Sequence, residues 1–131
     1  MKIFPPKKIK IVNIQGKGFG VVSTKIIKKN EIIEICPVIY LSDNERKFIE
    51  NKSDTLYHYY LYIKKINKFC IMFGYGSIYN HDLNANASFE CDNDISTRIL
   101  KIRAIKNINI NEEIIIDYKF NNNKEEFFDL K

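Results

Sequence analysis

What most limits the fold of this 131-residue chain is the shortness of its apolar runs and the punctuation between them. Residues 9–14, 32–41, 55–63, 68–73, 88–91 and 99–105 are rich in β-branched or aromatic side chains, and each run stops at a polar or glycine-containing turn. Such runs read as strands. One segment reads as a helix: Ser42-Asp43-Asn44-Glu45 has the Ser-x-x-Glu form in which two side chains satisfy two backbone amides, which predicts a short helix over 43–51. Strands do not alternate with helices, so the pattern points to a compact β-rich domain and not to a parallel βαβ sheet. Pro37 lacks an amide donor and predicts an edge strand or a bulge within 32–41.

Composition sets the broad class. A hydrophobic share of 45% against 28% charged residues belongs to one globular domain and not to a disordered chain. No apolar run approaches the roughly 18 residues that span a bilayer, and the start has no signal-peptide pattern. The expected location is the cytoplasm, of a cell or of an infected host cell, with delivery to a host cell or nucleus left open. Cys36, Cys70 and Cys91 lack Cys-x-x-Cys spacing, so buried free thiols and no metal site are expected. The net charge of +5 comes from scattered lysines, paired at Lys7-Lys8, Lys28-Lys29 and Lys64-Lys65. That is the pattern of a solvated surface more than of a nucleic-acid-binding tract.

Three separated stretches carry chemistry. Gln15-Gly16-Lys17-Gly18-Phe19-Gly20 sets glycines at alternate positions, giving a tight turn with accessible amides; its spacing fits neither a dinucleotide fingerprint nor a phosphate loop. Residues 73–86 join two glycines to Asn80-His81, with Asn86 following six residues after Asn80. Asn and His offer donors and acceptors at fixed places, which suits a pocket for a polar small molecule, although the same residues also serve a plain turn between strands. Residues 112–118 form an apolar run that ends in Asp117-Tyr118. Between the first two stretches, alternation along 55–63 puts Leu56, His58, Tyr60 and Tyr62 on one strand face.

In this order and at these distances, Gly18-Phe19-Gly20, Asn80-His81 with Asn86, and Glu113 through Asp117-Tyr118 resemble the SET domain of protein-lysine methyltransferases, most of all the small stand-alone SET proteins of viruses and bacteria. The resemblance runs from about Ile9 to Tyr118. It implies a mainly β, β-clip-like fold of several small sheets with few short helices and a C-terminal pseudoknot, in which Asp117-Tyr118 threads beneath the Asn80-His81 loop. Residues 1–8 are then a basic arm, 9–118 the SET domain and 119–131 a tail packed on the active site. The implied cofactor is S-adenosylmethionine. The implied partner is a lysine-containing protein or peptide, histone tails among them, which enters a narrow channel from the opposite face. No membrane or nucleic acid is required, and the chain would be a monomer or a homodimer.

Carried over by position, Lys17, Gly18, Phe19 and Gly20 would hold the methionine part and adenosine of the cofactor. Asn80 and His81 would hold its amino-acid end and adenine, and Phe127 or Phe128 would cover the adenine. Tyr118 would be the principal catalytic tyrosine and touch the cofactor, with Tyr60 as the second catalytic tyrosine. Tyr60, Tyr79, Phe89 and Ile116 would line the lysine channel, while Asn86 and Glu113 stabilise the knot. The sequence departs from the family at Ala85, where proline is usual, and at Lys119, and it has no cysteine-rich zinc segment.

In-line transfer from a sulfonium needs a neutral amine, and deprotonating a lysine of pKa near 10.4 costs about 4–5 kcal/mol at neutral pH. An apolar channel and the nearby positive charge both favour the neutral form. Tyr118 would then orient the amine without acting as a full base, and holding both reactants in line supplies up to roughly 7–11 kcal/mol. Ile116 and Phe89 carry no hydroxyl to hold water beside the amine, which predicts di- or trimethyl-lysine as product. Two other readings stay open on the residues alone. One is a basic nucleic-acid-binding β module that stacks bases on Tyr57, Tyr59, Tyr60 and Tyr62; the other is a SET domain that binds without catalysis.

Overall fold

The computed structural model describes residues 3, 5–92 and 94–117. Its strands are β1 (Ile9–Ile14), β2 (Gly18–Ser23), β3 (Ile32–Leu41), β4 (Tyr60–Ile63), β5 (Lys68–Met72), β6 (Asn80–His81), β7 (Ala87–Cys91), β8 (Ile99–Ala104) and β9 (Ile115–Ile116). β1 and β2 form an antiparallel hairpin, and the rest make one sheet in the order β4-β5-β3-β8-β7-β9-β6. The sheet curls, because Leu61 and Ile63 at its β4 edge share a cavity with Phe89 of β7 and Leu100 of β8. The fold is mainly β, as the short runs require. No helix among the described residues is long and apolar enough to cross a membrane.

β3 is a central strand, contrary to the edge position expected from Pro37. Its first half pairs with β8 as far as Pro37↔Ile99, and its second half pairs with β5 from Val38↔Met72 onward. Proline sits where the strand exchanges one neighbour for the other, the place at which a missing amide disturbs the ladders least. The expected irregularity lies earlier, between Ile32 and Glu34. The single α-helix, α1 (Asp43–Lys52), begins as its sequence dictates: the Glu45 amide donates to Ser42 Oγ at 3.2 Å and the Ser42 amide to Glu45 Oε1 at 2.9 Å.

The aromatic run is only half a strand. Residues Leu56–His58 form a 3₁₀ turn that Ser53 Oγ starts by accepting the Leu56 amide, so Leu56 and His58 do not share a strand face with Tyr60. On β4 itself, alternation turns Leu61 and Ile63 into the main core and Tyr60 and Tyr62 toward Ile49 of α1 and Phe69. The main core gathers Val21, Ile27, Leu100, Ile102, Ile108, Ile114 and Ile116 from both sheets and their connections. Cys36 and Cys70 are free and buried, and burial pushes the Cys70 thiol up to about 12.

The C-terminal part of the described chain is inserted into the sheet. β9 runs parallel to β6 through Asn80↔Ile115 and His81↔Ile116, and parallel to β7 through Ala87↔Ile116. Asn86, buried to 7% exposure, ties this insertion down. Its Nδ2 donates to the Glu113 carbonyl at 2.8 Å and to Glu112 Oε2 at 2.9 Å, while its Oδ1 accepts the Ile115 amide at 2.8 Å. Its backbone amide reaches the Ile115 carbonyl at 3.1 Å. Alanine at position 86 would leave a buried backbone donor and a buried acceptor without partners, a loss of about 2–4 kcal/mol. Urea unfolding of Asn86→Ala checks this; a loss under about 1 kcal/mol would contradict the latch.

Candidate functional site

The three stretches singled out in the sequence meet at one place. The β1–β2 turn is closed by the Lys17 amide on the Ile14 carbonyl at 3.0 Å, with Gly16 and Gly18 at φ +80° and +82°, where other residues are strained. Gly20 is needed for a different reason. A Cβ there would stand 2.9 Å from both Asn80 Nδ2 and Glu113 Oε2 and would collide with Ile14 Cδ1. Only a bare backbone lets β2 lie this close to the pair.

Around that backbone runs a polar chain. Asn80 Nδ2 donates to the Phe19 carbonyl at 3.2 Å and to Glu113 Oε2 at 2.7 Å, and Lys17 Nζ donates to Glu113 Oε1 at 2.9 Å. Glu113 is fixed from behind by its bridge to Val22, and the Ile114 amide donates to the Val21 carbonyl at 2.8 Å. Next along β6, His81 Nδ1 lies 3.2 Å from the Ile116 carbonyl and 3.9 Å from Asp117 Oδ1. A carbonyl only accepts, so Nδ1 carries the proton. Phe19 is 61% exposed beside this chain, an apolar surface at the rim.

The loop that delivers Asn80 is held by a carboxylate that the sequence reading passed over. Glu34, 5% exposed, accepts the Tyr79 hydroxyl at 2.7 Å and the Tyr75 amide at 2.9 Å. Gly74, at φ +68°, lies against the same carboxylate, where a Cβ would come 2.5 Å from Glu34 Oε2. Burial first, then the neighbouring Glu34 charge, raises the Tyr79 phenol well above its usual range. The only sequence signal was a lone acid inside the apolar run 32–41.

Of the residues expected to line a channel, Tyr79, Phe89 and Ile116 belong to the main core cluster, 2%, 5% and 0% exposed. Phe89 borders a cavity of about 160 Å³ with Leu61, Ile63, Lys65, Glu90, Cys91 and Leu100. Tyr60 belongs to the second cluster, with Ile49, Tyr62 and Phe69. It lies on the α1 side of β4, stacked on Phe69, and its hydroxyl donates to Glu50 Oε1 at 3.3 Å within the Arg46–Glu50 ion pair. Burial, then the Glu50 charge, raises its phenol and keeps it neutral. Tyr118, Phe127, Phe128 and Lys119 lie outside the described residues. The stacking platform required for nucleic acid is not there: Tyr60 and Tyr62 are 2% and 5% exposed, Tyr57 is half-buried and Tyr59 alone of the four is exposed.

Comparison with known proteins agrees with this geometry. The SET domain family model matches residues 18–119, which includes Gly18-Phe19-Gly20 and the whole of the two later stretches. A Schizosaccharomyces pombe histone-lysine N-methyltransferase, H3 lysine-37 specific, is 29% identical over 110 residues, covering 84% of this chain and 72% of its own. The crystal structure of a candidate histone methyltransferase from Plasmodium falciparum is similar at TM-score 0.66 and 36% identity, over 86% of this chain and 93% of that one. The Neurospora SET domain protein DIM-5, a histone lysine methyltransferase, shares the fold at TM-score 0.69 and 18% identity, over 84% of this chain and 51% of that one. The chain belongs to the SET domain family, and its relatives put it among the protein-lysine methyltransferases.

Proposed function

We propose that this protein transfers methyl groups from S-adenosylmethionine to a lysine amine of a protein substrate, with histone tails as the first class to test. The observation that carries the reading is the meeting of Lys17–Gly20, Asn80-His81 and Glu113–Asp117 around one open backbone edge. The donor set fits the cofactor. Asn80 offers a carbonyl oxygen to an ammonium, the strand Gly18–Gly20 offers backbone groups without side chains in the way, and exposed Phe19 offers an apolar face. The bound cofactor supplies the electrophilic methyl group on its sulfonium.

The chain's own residues then bind, orient and exclude water. Lys17 and Glu113 keep the Asn80 amide in place, and His81 is held by the Ile116 carbonyl, so both binding side chains are oriented in advance. Phe89 and Ile116 bring apolar surface toward the reacting amine, which favours its neutral form. Tyr118 orients that amine. The histone-methyltransferase names of the relatives support a lysine-rich tail as substrate.

Incubation with S-adenosylmethionine and core histones or histone peptides, read by intact mass, is expected to give di- or trimethyl-lysine at long times; monomethyl product alone would contradict the apolar, water-free surroundings of the amine. Gly20→Ala is expected to weaken S-adenosylmethionine binding about tenfold or more by calorimetric titration, because the new Cβ pushes Asn80 and Glu113 aside. Unchanged affinity would remove β2 from the site.

A further inference from the structure

Asn80 Nδ2 spends both of its protons, one on the Phe19 carbonyl at 3.2 Å and one on Glu113 Oε2 at 2.7 Å. Both partners accept and neither donates. Turning the amide over would set its oxygen against a carbonyl and a carboxylate, so one orientation is enforced. In that orientation Oδ1 has no donor among the described residues, and the one buried side-chain atom left without a partner among them is Arg46 Nε, so Asn80 Oδ1 faces solvent.

Glu113 makes this choice firm. Its second oxygen is held by Lys17 Nζ at 2.9 Å, its side chain is only 16% exposed, and its backbone is bridged to Val22. Without the carboxylate, Asn80 would keep one acceptor, Phe19, and the amide could rotate to present either its oxygen or its nitrogen outward.

We propose that Glu113 is a positioning residue for cofactor selectivity: it locks the Asn80 amide with the oxygen outward, so that the site prefers ligands carrying a cationic amine over analogues that lack one. Lys17 is the anchor that balances the Glu113 charge and stops that carboxylate from turning toward the ligand. The inference rests on the reading of Asn80 as the group that meets the amino-acid end of the cofactor. Glu113 acts through Asn80 and does not touch the reacting atoms.

The test is calorimetric binding of S-adenosylhomocysteine, which has the amine, and of 5′-methylthioadenosine, which lacks the whole amino-acid end. It uses wild type, Glu113→Ala, Glu113→Gln, Asn80→Ala and the Glu113→Ala/Asn80→Ala double variant, each checked by thermal melting. Glu113→Ala is expected to weaken S-adenosylhomocysteine about tenfold and leave methylthioadenosine within about twofold. Glu113→Gln, whose amide oxygen still accepts from Asn80, is expected to restore binding to within about threefold, and the double variant to lose no more than Asn80→Ala alone. Equal weakening of both ligands, or additive losses in the double variant, would overturn the lock while leaving the cofactor site intact. A wild type that binds neither ligand would overturn the cofactor reading and this inference with it. If Glu113→Ala does not fold, wild-type hydrogen exchange decides: the Asn80 side-chain amide protons should be protected, and exchange as fast as that of an exposed asparagine would overturn the lock.

Discussion

The site depends on one buried amide. Asn86 saturates its side chain with the Ile115 amide, the Glu113 carbonyl and the Glu112 carboxylate, and so fixes the segment that carries Glu113 and Asp117 against the end of β7. Ile115–Ile116 is too short to hold its place by strand pairing alone. With the latch closed, it sits between β6 and β7 and faces Asn80 and His81 across a parallel ladder. Residues more than thirty positions apart thereby become neighbours, and the Asn80–Glu113 hydrogen bond is the result.

A second anchor works from the other side. Glu34 is buried within β3, and a buried carboxylate is costly unless its oxygens are occupied. The Tyr79 hydroxyl and the Tyr75 amide occupy them, and Gly74 leaves the room that the carboxylate needs. Hydrogen bonds to a charged group are worth about 1.5–3 kcal/mol each, enough to offset much of the burial cost. Ser77 Oγ adds a bond to the Met72 carbonyl at 2.7 Å, so the loop entering β6 is tied to the core on several sides. Asn80 therefore leaves a fixed loop and meets a fixed partner. Preorganisation of this kind lets a small domain hold a polar ligand without a large enclosed pocket.

Much of this was legible in the sequence, and the reasons for the gaps are physical. Short β-branched runs gave the strands, the Ser42–Glu45 capping box gave α1 to within one residue, and the order of Gly18-Phe19-Gly20, Asn80-His81 and Glu113 gave the family. Pro37 misled because its missing donor is tolerated at a change of partner as well as at an edge. Residues 55–63 misled because tyrosines favour strands while Ser53 starts a tighter turn, and tertiary context decided between them. Glu34 stayed hidden because nothing local announces that a single acid in an apolar run has two donors waiting forty residues on.

The central claim is that β2, β6 and the segment at Glu113 form a single cofactor surface, and at 15.5 kDa the chain suits a direct solution test. ¹⁵N–¹H spectra would be followed while S-adenosylhomocysteine is added. The account predicts that the largest shifts fall on the amides of Gly18, Phe19, Gly20, Asn80 and His81, with residues of α1 unmoved. Shifts confined to α1 and β4, or none at saturating ligand, would contradict it.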